Sequence, residues 1–409
     1  MKAPLKLLIS AVVPLLLIPF SAFASENATG VASEMVRQVE QYNFAIHIMA
    51  MLLVGFGFLM VFVKRYGYSA TTGTYLVVAT GIPLYAFLRS SGVLSAEPVE
   101  TATIDALLLA EFACASTLIA MGAILGRIKV FQYALLACIV VPAYMINEWL
   151  VFDGGLGITK GFVDSAGSII IHAFGAYCGL GLSIALTSVK QASQPVESDD
   201  TSDRFSMLGS MVLWIFWPSF CSAVVAHEQM PLTVMNTILS LCGATLTTYI
   251  ASSIFRKGKV LIADMINAAL AGGVAIGATC NILTPAAAFG VGALAGFICM
   301  VGFVFIQPAL QAKFSKVDTC GVHNLHGMPG VLGGCIAIFA VPDILVSQLT
   351  GIVFTVLFAL AAGYAGGFLI RITGRITAAY EDSESFGGVE TLIDNEIETV
   401  PGNIAQPIR

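Results

Sequence analysis

The sequence predicts an all-α polytopic membrane protein with eleven transmembrane helices. Helices 1–5 and 6–10 form a pseudo-two-fold inverted repeat, and a last long helix follows them. Three observations predict it: an apolar composition, a regular series of apolar runs, and a motif that occurs twice. With 57% hydrophobic and only 11% charged residues, the chain lies far from the roughly one-quarter charged content of soluble domains. Its mean hydropathy of +0.88 points the same way. At about 20 residues per span plus short loops, 409 residues hold about eleven helices in one bundle. The formal charge of −6 comes mostly from a C-terminal acidic stretch, so no nucleic-acid partner is expected; the partner the composition implies is membrane lipid.

The elements follow in order. Lys2 and Lys6, an apolar run from Leu7 to Phe20, and Ala22-Phe23-Ala24 before a polar stretch read as a signal peptide, 1–24. A membrane domain over 25–375 and an acidic cytoplasmic tail over 376–409 follow it. Asn27-Ala28-Thr29 has the form of a glycosylation site, read as incidental. Apolar runs bounded by charges or turn residues predict helices near 43–63, 71–91, 104–126, 131–152, 163–189, 206–226, 232–255, 259–281, 285–311, 319–341 and 345–370. With the mature N-terminus outside, Lys64, Arg65, Arg127, Lys129, Lys190, Arg204, Arg256, Lys257, Lys259, Lys313, Lys316, Arg371 and Arg375 all fall on the cytoplasmic side. Only Arg37, Arg89 and Lys160 fall outside, so the positive-inside rule holds loop after loop and puts the C-terminus in the cytoplasm of a cell inner (plasma) membrane protein. The polar stretch 191–204 is the joint between the two halves. All nine cysteines lie in apolar segments with no CxxC pair, which reads as core packing rather than a disulfide framework.

Helix five opens Asp164-Ser-Ala-Gly and reaches His172; helix ten opens Asp318-Thr-Cys-Gly and reaches His326. Both copies read Asp-x2-Gly-x4-His, and the orientation sends them toward the membrane centre from opposite faces. Eight residues at about 1.5 Å each carry each histidine about 12 Å inward, close to the middle of an apolar slab about 30 Å thick. That is the site an inverted repeat builds, at the midplane where the halves meet. The aspartates read either as caps satisfying free N–H groups or as direct ligands. Two imidazoles at that depth favour the neutral form and still offer hydrogen-bond donors and acceptors to a small polar molecule, whereas an ammonium ion faces a large desolvation cost. Ionisable residues at membrane depth mark pathways. His323, one turn from His326, reads either as lining the same path or as packing; His47 and His227 read as packing.

Three runs carry a resemblance: Ile171-His172-Ala173-Phe174-Gly175-Ala176-Tyr177-Cys178-Gly179-Leu180, Trp217-Pro218-Ser219-Phe220, and Asp318 through Gly330, which reads Asp-Thr-Cys-Gly-Val-His-Asn-Leu-His-Gly-Met-Pro-Gly. Asn267 through Gly273 adds a weaker one. They resemble Rhesus glycoprotein signatures, and the chain looks like a bacterial Rhesus homologue within the ammonium transporter family, over nearly all of its mature length. The resemblance implies a homotrimer of eleven-helix bundles, each with its own pore. It makes His172 and His326 twin lumen histidines, and Phe112 and Phe220 two stacked rings closing the external mouth; without it, either phenylalanine reads as bundle packing. It makes Glu148 an acidic vestibule residue that attracts the cation, where the residues alone also allow a solvated helix-end carboxylate. Two departures stand out. The family's external tryptophan has no match, its nearest counterpart being Phe152, and a signal peptide stands where eukaryotic relatives often carry an additional helix.

The expected function is passive conduction of ammonia, formed from ammonium at the outer mouth. Carbon dioxide, also small and neutral, is an alternative cargo, and an ammonium sensor acting through the acidic tail is an alternative role. Cys320-x2-His323-x2-His326 raises a metalloenzyme, but the outer two positions sit about 240° apart around a helix, so no metal is expected. No phosphate-binding loop appears; the chain is read as neither an enzyme nor the holder of a cofactor.

Overall fold

The computed structural model describes residues 28–94, 103–152, 155, 157 and 159–389, and among them every regular element is helical. The expected signal peptide, Asn27 and the tail beyond Val389, with Glu390, Asp394, Glu396 and Glu398, lie outside the described residues. Residues up to Asn43 form a unit of their own, in which Arg37 pairs with Glu34 at 2.8 Å. Apart from the first residues of α1, everything described below lies in the second unit, Phe44 onward.

Nine described helices are long and apolar enough to cross a membrane: α1 Glu34–Phe62, α2 Gly67–Ser90, α3 Ile104–Ala123, α4 Gln132–Val151, α5 Ser168–Leu186, α6 Asp200–Ser222, α7 His227–Phe255, α9 Pro285–Phe314 and α11 Leu345–Ile372. Two shorter apolar helices fill the remaining places: α8, Ile262–Ile276, and α10, a π turn at His323–Gly327 continued as Met328–Ala340. Eleven helices thus stand where eleven are expected, but α8 and α10 are shorter than the runs 259–281 and 319–341. The first turns expected of α5 and α10 are irregular backbone instead, and past the end of α8 the chain continues in turns.

Backbone polar groups at membrane depth need partners from the protein itself. The segment before α10 finds them on the end of α3, where Thr319 N donates to Ala123 O and Cys320 N to Gly122 O, both at 3.1 Å. The segment before α5 does the same on the residues just past α8: Ala166 N donates to Gly277 O at 2.8 Å and Ser165 N to Ala278 O at 3.4 Å. A Gly-Ala pair receives the bonds in both halves. This matched docking, α3 with α10 and α8 with α5, is the inverted repeat expressed in hydrogen bonds.

The loops α1–α2, α3–α4 and α5–α6 meet at one end of the bundle under a strap formed by residues 373–389. Gln132 Nε2 donates to Thr373 Oγ1 and Gly374 O, both at 2.8 Å, and Gln191 Nε2 to Ala378 O at 3.1 Å. Tyr380 N reaches Gly126 O at 2.9 Å, and Arg65 pairs with Glu381 at 2.9 Å. Asp382 then closes the N-terminus of α2, accepting from Tyr68 N at 2.7 Å and Ser69 N at 2.9 Å. The described part of the acidic tail is therefore bound along these loops, and residue 375 is not a break in packing. All nine cysteines are free; eight are buried or half-buried, while Cys138 points outward from α4.

Candidate functional site

The twin motif explains how its histidines are placed. Gly167 and Gly321 take left-handed backbone, φ 79° and 69°, a conformation that side chains disfavour. That turn aims the start of the next helix back over the aspartate. Asp164 Oδ2 accepts from Ile169 N at 2.9 Å and Ile170 N at 2.8 Å; Asp318 accepts from Val322 N at 2.9 Å and His323 N at 3.0 Å. Both carboxylates thus serve helix starts, four to six residues downstream rather than from the first helical position. Asp164 Oδ1 is buried without a partner, so the other reading of Asp164, contact with a passing molecule, keeps one free oxygen.

His172 and His326 meet. Their Nδ1 atoms lie 3.2 Å apart, the ring centroids 5.3 Å apart, and the planes differ by 12°. Exposures of 3% and 4% put both inside the bundle. A hydrogen bond between two Nδ1 atoms requires one Nδ1–H and one bare Nδ1, so the neutral rings hold opposite tautomers and two imidazolium ions cannot share this geometry. One outward Nε2 is then an acceptor and the other a donor.

Aromatic rings extend the line on both sides. Phe220 lies 5.9 Å from His172 and 4.7 Å from Phe112, measured between centroids. The two phenyl rings meet at 70°, edge to face. This corrects the stacked arrangement: the electron-poor edge of one ring finds the electron-rich face of the other, which two parallel rings in register cannot offer. On the far side Phe56 lies 6.4 Å from His326, above a small cavity of about 20 Å³ bounded by Leu59, Cys320, Val322 and Asn267, enough for about one water.

Glu148 sits half-buried near the end of α4, opposite the strap, and accepts from Tyr85 Oη at 3.1 Å and Tyr144 Oη at 3.2 Å. It is held by two hydroxyls rather than simply solvated. Phe152 lies one turn beyond, 41% exposed, edge-on to Phe162. His323 is not on the same line. Its ring meets Tyr177 edge-on at 5.8 Å and opens on a separate cavity of about 350 Å³ with Asp318 and Lys316. Cys320 and His326 line one cavity and His323 the other, so the three do not converge on one point; no group of metal-ligating side chains occurs among the described residues.

Sequence reasoning passed over two contributors. Trp217 lies nearly parallel to His172 at 5.6 Å and 25°, walling the ring. Its signal was the Trp-Pro pair quoted only as part of a longer run. Glu111, beside Phe112, is fully buried with neither carboxylate oxygen bonded, an acid inside an apolar run that the sequence shows plainly. The described residues offer it no partner.

Residues 7–387 match the sequence profile described as the Ammonium Transporter Family. The chain is 37% identical over 326 residues to ammonium transporter Rh type A of Canis lupus familiaris, covering 78% of this chain and 77% of that one. It is 39% identical over 308 residues to ammonium transporter Rh type B-B of Xenopus laevis, covering 73% of this chain and 65% of that one, so it spans just under two thirds of the latter's length. Among solved structures it is similar to Rh50 of Nitrosomonas europaea, from the Rhesus protein family of channels: 62% identity, a TM-score of 0.87, and coverage of 88% of this chain and 95% of that one. A match over nearly the whole chain, joined to the eleven-helix inverted repeat, places this protein in the ammonium transporter family, in its Rhesus branch of transporters and channels rather than among enzymes.

Proposed function

We propose that the protein conducts neutral ammonia passively across the inner membrane, through the line from Phe112 and Phe220 to His172 and His326. The observation that carries this reading is the buried Nδ1 pair at 3.2 Å. It offers a small polar molecule one acceptor and one donor at membrane depth, and the bond that joins the two rings involves no carboxylate. An ammonium ion would have to shed its hydration against apolar walls, at a cost of several kcal/mol. Ammonia needs only one or two hydrogen bonds to cross.

In this reading Glu148, held by Tyr85 and Tyr144, draws ammonium to the outer mouth, where the proton is left behind. The rings of Phe112 and Phe220 exclude water and hydrated ions, and Trp217 holds His172 edge-on to its partner. His323 serves the inner side from its own cavity rather than the lumen. The chain works as a homotrimer with a cleaved N-terminal signal, an external mature N-terminus and the strap in the cytoplasm. The test is internal pH in proteoliposomes, followed by stopped flow after an inward ammonia gradient, with an equal carbon dioxide gradient as control. Alkalinisation faster than in empty liposomes, and altered in both His172→Ala and His326→Ala, is the expected result. Rates equal to those of empty liposomes would remove the proposal, and acceleration by carbon dioxide alone would change the cargo.

A further inference from the structure

Three cations converge on the last carbonyls of α5, at the end of the bundle that carries the strap. Arg371 Nη1 reaches Ala185 O at 3.4 Å, Arg375 Nη2 reaches Leu186 O at 3.5 Å, and Lys316 Nζ reaches Thr187 O at 3.0 Å. They come from three places in the chain: the end of α11, the segment after it, and the loop before α10. A helix C-terminus is the negative end of the peptide dipole, which explains why cations gather there. It does not neutralise three of them. Among the described residues no carboxylate pairs with any of the three. Their charges act on one another: Lys316 lies below the ordinary lysine range, first because of burial and then because Arg375 and Arg371 are close. One carbonyl each also leaves most of their N–H donors available, since an ammonium has three and a guanidinium five.

Lys316 is at the same time part of the wall of the 350 Å³ cavity, whose other side is apolar: Leu180, Ile184, Leu310, Phe314 and Leu360. That wall opens outward, with Ile184 45%, Leu310 40% and Phe314 58% exposed. Asp318, the one carboxylate on the cavity, has turned both oxygens onto Val322 N and His323 N. The arrangement is a cluster of unpaired cations at the helix ends with an apolar cleft running from it along the helix sides.

We propose that this is a binding site for an anionic phospholipid of the leaflet at that end, its phosphate on Lys316, Arg371 and Arg375 and one acyl chain along Ile184, Leu310 and Phe314. Charge complementarity selects the occupant: a phosphate diester brings the missing negative charge and the acceptor oxygens, and its chain covers the cleft that a free anion would leave open. Basic pockets between helices on the cytoplasmic side are where such headgroups bind.

The test is native mass spectrometry of the delipidated, detergent-solubilised protein titrated with dioleoyl phosphatidylglycerol, dioleoyl phosphatidylcholine or inorganic phosphate. Phosphatidylglycerol binds more tightly than phosphatidylcholine. Each of Lys316→Gln and Arg375→Gln weakens it roughly fivefold while leaving phosphatidylcholine unchanged. Lys316→Arg keeps the preference, and Ile184→Trp, which fills the cleft without touching a charge, weakens both lipids. Thermal unfolding of each variant identifies any that misfold, and Arg375→Gln carries the test if Lys316→Gln does. Equal binding of the two lipids overturns the proposal. So does inorganic phosphate that displaces phosphatidylglycerol from the same residues, which would make it a free-anion site. A change of oligomeric mass in Ile184→Trp with an unchanged lipid preference would make the cleft a contact between copies of the chain.

Discussion

His172 is fixed from three sides by neighbours of different kinds: His326 through a hydrogen bond, Trp217 through a nearly parallel indole, and Phe220 through a tilted phenyl ring. Because two of these contacts survive the loss of the third, Phe220→Ala is expected, under the proposed function, to open the mouth without releasing the imidazole. The edge-to-face pair with Phe112 is worth about 0.5–1.5 kcal/mol beyond its buried area, so the change costs some stability. Its larger effect is expected on selection: methylamine, larger than ammonia by a methyl group, gains entry if the rings are the barrier proposed. Isotope-labelled methylammonium uptake should rise severalfold in Phe220→Ala, with the protein still folded by circular dichroism; unchanged uptake would mean that the rings are packing and not a barrier. The two histidines of this line were legible in the sequence because histidine at membrane depth stands out against an apolar background, whereas Phe112 and Phe220 came only from the family resemblance. The edge-to-face angle and the role of Trp217 were not, since 26 phenylalanines and a Trp-Pro pair carry no sign of which faces meet. Arg127 shows the opposite failure: it reads as a loop charge, yet it is 2% exposed and its guanidinium donates to Gln191 O at 3.2 Å.

At the scale of elements, the Asp-x2-Gly leg is what sequence periodicity concealed. Ser165-Ala166 and Thr319-Cys320 are compatible with a helix, and each apolar run continues through them, so the pattern predicts unbroken helices. The legs exist because the ends of α3 and α8 present carbonyls to them, a tertiary fact. Their glycines are therefore the weak points. At Gly167 a Cβ would come 2.4 Å from Ile171 Cδ1 in addition to the unfavourable φ. Gly167→Ala is expected to cost about 1–3 kcal/mol and to turn the helix start that carries His172. Ammonia flux should fall more than thermal stability does, and an equal fall in both would mean that the strain is not transmitted to the ring. The strap has its own measurable element in Asp382. Burial holds its carboxyl above the usual range, an effect only partly offset by the N–H groups of Tyr68 and Ser69. The folded chain then keeps a proton that the unfolded chain has released from about pH 4, so stability falls as pH rises from there to the raised value and is level above it. Asp382→Asn, still able to cap α2, should remove that slope with little change at neutral pH; thermal unfolding against pH measures it, and an unaltered slope would assign it to another group.

Across the whole molecule the inverted repeat makes a statement about direction. Helices α1–α5 and α6–α10 reach the midplane from opposite faces, and their docking bonds match, Thr319 and Cys320 on one helix end and Ser165 and Ala166 on the residues after the other. The two histidines sit where the halves cross, so a molecule arriving from either side meets the same kind of pair. The paired rings of that line are held to each other by a direct bond at 3.2 Å. Under the proposed function, a path working without an ion to drive it is expected to conduct alike from both sides at equal gradients far below saturation, with Glu148 at one mouth and the strap at the other. In proteoliposomes whose orientation has been fixed by selection on the C-terminal side, equal inward and outward ammonia gradients should give initial rates that agree within about twofold. A persistent tenfold difference corresponds to about 1.4 kcal/mol of bias, which a passive conduit cannot supply, and would require a coupled ion that the neutral histidine pair does not accommodate.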